Sequence, residues 1–221
     1  MKTSPNSPKL LKGGLVVLAP GGATVQRVIA LQYNPESWKR SVAPQWYEGQ
    51  QEADGEKRMR FKGPAQESIN LEAEIDATDQ LENPGQHPTA MKFGVHPQLA
   101  ALETLVYPSS RQLNTRNEQA NAGTLEIVPP ESPLTVFVWS KSRIAPVRMT
   151  EFSVTEEFFD PDLNPIRAKV SLGMKVLTVD DLRHSHPAGR LFMAYLQNKE
   201  ALARKSLAGD FSTLGISGLP I

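Results

Sequence analysis

Residues 165–177 read PIRAKVSLGMKVL, in which Ile166, Ala168, Val170, Leu172, Met174 and Val176 alternate without a slip with Arg167, Lys169, Ser171, Gly173 and Lys175. Successive side chains of a strand point to opposite faces, so a period of two held this long demands an extended strand with one apolar and one basic face. Asp160-Pro161 and Asn164-Pro165 mark a turn just before it. Upstream, VRMTEFSVTEEFF also alternates, but its apolar residues switch from odd positions (Val147, Met149) to even ones (Phe152, Val154). A β-bulge near Thr150 or Glu151 accounts for the switch and lets the two strands pair as a long hairpin. SINLEAEID supplies the complement: Ile69, Leu71, Ala73 and Ile75 share one face, and Glu72, Glu74 and Asp76 the other.

The remaining segments fill in a β-rich architecture. LVVLA at 15–19 and VQRVIALQY at 25–33 read as strands joined by a tight hairpin at Gly21-Gly22. Residues 1–13 form a Pro/Ser/Lys arm, and 48–60 a charged loop. PQLAALETLVYP spaces Leu99, Leu102, Leu105 and Val106 as a helix of about three turns between Pro97 and Pro108. Residues 83–97 and the polar stretch 109–123 read as connections, and TLEIV and LTVFVWS as further strands. In the latter Val136 and Val138 oppose Phe137 and Trp139, so both faces need cover. AGRLFMAYLQNKEALARK is a terminal helix presenting Leu191, Tyr195 and Leu202, followed by a glycine-rich tail. The tally predicts a mainly β fold, an antiparallel barrel or sandwich with one flanking helix and a C-terminal helix. A flexible arm (1–13), a barrel domain (14–180) and a docking extension (181–221) organise it.

Chemistry is sparse. Among 221 residues, Lys plus Arg and Asp plus Glu are 24 each, so no net field attracts nucleic acid or an anionic membrane. The absence of cysteine removes thiolate nucleophiles, thiolate metal sites and disulfides, in keeping with assembly in a reducing cytoplasm. The four histidines are His87, His96, His184 and His186; the first two precede prolines in loops. The His184-x-His186 pair lacks a third ligand in its own sequence, so no metal or other cofactor is expected. Glu72, Glu74 and Asp76, roughly 6 to 7 Å apart along a strand face, fit the spacing of a glycosidase carboxylate pair, yet a cross-strand ion-paired face explains them more simply. Trp38, Trp46 and Tyr47 offer a carbohydrate platform as the alternative reading. No nucleophile–base motif is present, and the reading is non-enzymatic.

Taken together, LQYNPESWKRS (31–41), FKGPAQESINLEAEIDATDQLE (61–82), PQLAALETLVYP (97–108) and the stretch from Pro133 to Leu177 resemble the tube-initiator, or baseplate-adaptor, proteins of phage-tail-like contractile injection systems. The resemblance implies a tail-tube fold that assembles as a homo-hexameric ring around a channel, between the spike hub and the inner tube, with neighbouring baseplate or sheath components as further partners. It implies assembly in the cytoplasm, within a particle that is released or anchored at a membrane. The long hairpin is then expected to join neighbours' strands, its charged face lining the channel or meeting the hub. Longer members carry a peptidoglycan-binding LysM module; only about sixteen residues follow Lys205, so peptidoglycan binding is not expected, and the tail is expected to dock on an adjacent layer. Strand pattern and turn position select as assembly-interface candidates Asn34, Pro35, Trp38, Phe137, Trp139, Arg143, Asp160, Asn164, Arg167, Lys169 and Lys175.

Overall fold

The computed structural model describes residues 11–22, 24–47, 59–123, 131–206 and 209–219. The expected strand at 124–128, residues 1–10 of the arm and residues 48–58 of the charged loop lie outside them. Seven strands form one antiparallel sheet: β1 (Gly14–Leu18), β2 (Val25–Ala30), β3 (Trp38–Trp46), β4 (Phe61–Asp76), β5 (Leu134–Ser140), β6 (Arg143–Phe159) and β7 (Pro165–Val176). Their order across the sheet is β2-β1-β5-β6-β7-β4-β3. The fold is mainly β, as the alternation requires.

β7 is the central element. Ala168, Val170, Leu172, Met174 and Val176 are all at most 1% exposed, and they meet Ile69, Leu71, Ala73 and Ile75 of β4 and Val147, Met149, Phe152 and Val154 of β6 in one cluster. The β6–β7 register shifts between Met149 and Glu151. That bulge changes the parity of β6 so that both halves keep their apolar residues on one face. At the opposite edge, Gly21 and Gly22 have φ of 80° and 70°, the left-handed backbone that a two-residue hairpin turn needs and that glycine adopts at little cost.

The sheet is rolled but not closed. Trp38 of β3 lies edge-on to Phe137 and Trp139 of β5, each at 5.8 Å, although three strands separate β3 from β5 in the sheet. The Gln32 amide, just past β2, donates to Asp76 O (2.6 Å) and accepts from Asp76 N (3.0 Å). These contacts bring opposite ends of the sheet together over the core without a β2–β3 ladder. A barrel closed within one chain is therefore not what forms.

Five α-helices accompany the sheet: α1 (Thr78–Leu81), α2 (Pro88–Phe93), α3 (His96–Glu103), α4 (Ser110–Asn121) and α5 (Pro187–Ala203). α3 buries Leu99 and Leu102 and is shorter than its apolar spacing suggests. Its start is fixed by Gly94, with φ of 55° and its α-carbon hard against the Pro165 carbonyl, where any side chain would collide. α5 contributes Phe192 and Tyr195 to the large cluster and Ala188 to a second one with Leu134 and Val136 of β5. α5 is thus the cover that the second apolar face of β5 requires.

α4 replaces an expected connection. Ser109 Oγ accepts from Gln112 N (3.2 Å), and Gln112 Oε1 accepts from Ser109 N (2.9 Å). This reciprocal capping box starts a helix with no buried residue. α2 likewise occupies part of the proline-rich stretch read as loop, with Pro88 in its first turn.

Val170→Asp places an unpaired carboxylate on the fully buried face and should cost about 3 kcal/mol or more, enough to abolish cooperative folding. Lys169→Glu, on the exposed face beside Glu157, should keep the fold and cost about 1 kcal/mol or less. Urea unfolding followed by circular dichroism distinguishes the two.

Candidate assembly surfaces

The polar face of the β4–β7–β6 ladder matches acids to bases across strands. Glu74 stands opposite Lys169 and Asp76 opposite Arg167. Arg167 Nη2 lies 2.7 Å from Glu74 Oε1, and its Nε lies 3.0 Å from Asp76 Oδ2, the latter an ion pair without hydrogen-bond alignment. Lys169 Nζ donates to Glu157 (3.0 Å) and Lys175 Nζ to Asp181 (3.0 Å). Each candidate cation of this face therefore already has a carboxylate in its own chain. Partial burial opposes ionisation of Asp76, but hydrogen bonds from the Thr78 side chain and backbone, and the Arg167 guanidinium, outweigh it and hold the carboxyl below its ordinary value of 3.8. A general acid needs the reverse shift, so the acidic strand is built as an ion-paired surface.

Trp38, Phe137, Trp139 and Arg143 are brought together. Phe137 is buried in the core and stacks on Trp139 at 6.1 Å, while the Arg143 guanidinium lies 5.7 Å from the Trp38 ring. Half of this cluster is thus spent inside the protomer. Trp38 stands at one end of the nine-residue β3 and Trp46 at the other, about 27 Å apart at strand spacing, so Trp38, Trp46 and Tyr47 do not form one sugar platform. Asn34 accepts from Gly13 N (2.9 Å) and donates to Leu11 O (2.8 Å), and next to the half-buried Pro35 it tethers the segment that leads into β1.

Asp160 and Asn164 build the β6–β7 turn. Asp160 Oδ1 accepts from Asp162 N and Asn164 N (both 2.8 Å), and Oδ2 from the Asn164 side-chain amide (2.9 Å). The Asn164 bonds, side-chain first, draw the Asp160 carboxyl below its ordinary value. These bonds hold two bulky residues, Phe158 and Leu163, at φ of 55° and 65°, a left-handed backbone that costs a non-glycine residue on the order of 1 kcal/mol.

Three further features escape the pattern of the sequence. Glu67, in phase with Ile69 and only 4% exposed, accepts from Tyr195 Oη (2.7 Å) and Lys199 Nζ (2.5 Å), with Arg40 Nε at 3.6 Å. This buried carboxylate ties β3 and β4 to α5, and burial, then the bond to Glu67, raises the Tyr195 phenol. An acid at an apolar position of an alternating strand was the available signal. His186 caps α5, its Nδ1 accepting from Ala188 N (3.1 Å) and its Nε2 lying 3.0 Å from Glu131, so that imidazole is occupied in structure. Apolar residues crowd the hairpin ends at Met59, Phe61, Phe158 and Leu163, where turns are ordinarily polar.

The two outer strands are exposed. β2 is open along almost its whole length and β3 at most of its positions. β7 has both edges paired. β6 is paired on both edges only near Ile144–Val147 and by β7 alone beyond it, among the described residues. The long hairpin therefore offers a neighbour only the outer half of β6, and the sheet's free edges are β2 and β3.

The profile of one protein family, described as contractile injection system tube protein, matches residues 19–184, from the end of β1 to the turn before α5. The chain belongs to the contractile injection system tube protein family. A search of curated proteins finds no match. Among solved structures, the tail of an empty GTA particle, refined helically with C6 symmetry, is similar over 74% of this chain and 90% of that one, with 10% identity and a TM-score of 0.29. As a family of tube components, this is a structural rather than a catalytic assignment. Among the described residues no helix is long and apolar enough to cross a membrane, and no group of His, Cys, Asp or Glu is placed to hold a metal.

Asp76 and Asp181 are held below their ordinary value in the folded chain. A depressed carboxylate contributes stability that is complete above its unfolded value near 3.8 and is lost as pH falls through the lower folded value. Unfolding free energy should therefore be flat near neutrality and fall below about pH 4. Asp76→Asn should flatten that acid limb, as read from urea midpoints across the pH range.

Proposed function

We propose that this tube-family protein forms a hexameric ring that joins the spike hub to the inner tube and initiates tube assembly. The observation that carries this reading is the open sheet: a rolled ladder with a large buried core leaves both outer strands, β2 and β3, exposed. Long unpaired edges invite strand addition, and a β protein that must remain a monomer normally shields them. In the ring, the edges of one copy are covered by its neighbours, which completes around the axis what each protomer leaves open. The two edges differ in sequence, so the contact joins unlike surfaces, as cyclic assemblies above the dimer require.

The hub, the inner tube and adjacent baseplate or sheath components are the partners on this reading, and assembly takes place in the cytoplasm. The tail supports a docking role for the chain's end. Asp210 caps a short 3-10 turn, Phe211–Leu214, that leaves Phe211, Leu214, Ile216 and Leu219 exposed, an apolar set with no cover within the protomer. Ordering such a segment against an adjacent layer is a common way to secure it.

Co-expression with the hub protein of the same particle, followed by mass photometry and negative-stain imaging, tests the ring. Six-fold annuli on the hub are expected. A chain that stays monomeric and binds neither hub nor tube protein would contradict the reading.

A further inference from the structure

Two long hairpins leave the sheet in opposite directions. β6 and β7 close at residues 160–164, beyond the end of the ladder where Asp76 faces Arg167. β3 and β4 instead run past Ser68, the last β4 residue paired with β7, to the Trp46–Phe61 pair. The 16 residues of β4, at roughly 3.3 Å each, separate the two tips by about 50 Å.

Both tips are apolar, and their charges are opposite. At the first, Phe158 and Leu163 are 66% and 77% exposed, presented by the left-handed turn that Asp160 organises. Residues 156–163, EEFFDPDL, carry four acids and no base. Lys169 engages Glu157 and the turn engages Asp160, whereas Asp162 is fully open and Glu156 has an imidazole, His96, at 3.9 Å. At the second tip Trp46 stacks on Phe61 at 4.5 Å, and Met59 and Phe61 are 83% and 70% exposed. Residues 59–62, MRFK, carry two bases and no acid, and Lys62 is exposed.

We propose that the acidic tip of one copy docks on the basic tip of a second copy, with Phe158 and Leu163 against Met59 and Phe61, and Glu156 and Asp162 facing Lys62. The apolar residues supply the buried area, and the charges set orientation and exclude like tips. Unlike patches meet, so the contact propagates from copy to copy and closes into a ring when the rotation allows. This rests on the ring reading and adds to it a pair of contacting surfaces.

The test exploits charge and the absence of cysteine. One variant carries Glu156→Lys with Asp162→Lys, the other Lys62→Glu. Each should remain folded by circular dichroism and associate with itself about tenfold or more weakly than the wild type in sedimentation. An equal mixture should regain association, because each variant then offers the tip its partner lacks. Independently, a mixture of Leu163→Cys and Met59→Cys proteins under mild oxidation should give a disulfide-linked heterodimer that neither gives alone.

Folded variants that associate like the wild type, a mixture that stays dissociated, or concentrated protein without the heterodimer would each overturn the proposal. Rings that form yet ignore the charge swap would sink the tip contact and leave the ring reading intact. Swap-sensitive association that never closes into annuli would do the opposite.

Discussion

Everything in this protomer is hung on the apolar face of β7. Five side chains from Ala168 to Val176 are sealed from water between the matching faces of β4 and β6, and burying each contributes on the order of 1 to 3 kcal/mol. Because strand side chains alternate, fixing that face inward fixes Arg167, Lys169 and Lys175 outward. The register then brings those cations to Asp76, Glu157 and Asp181. One alternation thus sets the core, the strand pairing and the self-neutralised polar face together.

That neutralisation bears on function. A wall whose cations are all matched by its own carboxylates has little field left to attract a partner. The features available for recognition lie instead at the borders of the sheet: the exposed strands β2 and β3, the two apolar hairpin tips and the apolar tail. Such a distribution suits a subunit whose core is complete but whose periphery is not. The Glu67 cluster serves the same design, since it anchors the exposed strand β3 through Arg40 to a rigid helix and keeps an edge strand straight while it waits for a neighbour.

Much of this was legible in the sequence, for physical reasons. The period of two in 165–177, the parity switch near Thr150, the acidic complement at 69–76 and the Gly21-Gly22 turn are all local patterns, and each appears in the structure where those patterns place it. The doubly apolar strand at 134–139 signalled a second cover, and α5 provides it. What stayed hidden is non-local or polar. α4 buries nothing, so no apolar stripe announced it, although Ser109 and Gln112 spell a capping box. The meeting of Trp38 with Phe137 and Trp139 depends on how the sheet rolls, which periodicity does not encode. Arg167, Lys169 and Lys175 looked available because a sequence shows charge but not the partner that consumes it.

The central claim is that the outer strands find their missing partners in other copies. Amide hydrogen exchange resolved over β2 and β3, compared between dissociated protomer and assembled particle, tests it most directly. The account requires fast exchange at the outward amides of both strands in the protomer and strong protection in the particle. Equal exchange in the two states, with the β7 core protected in both, would show that the edges stay open and that the assembly is built some other way.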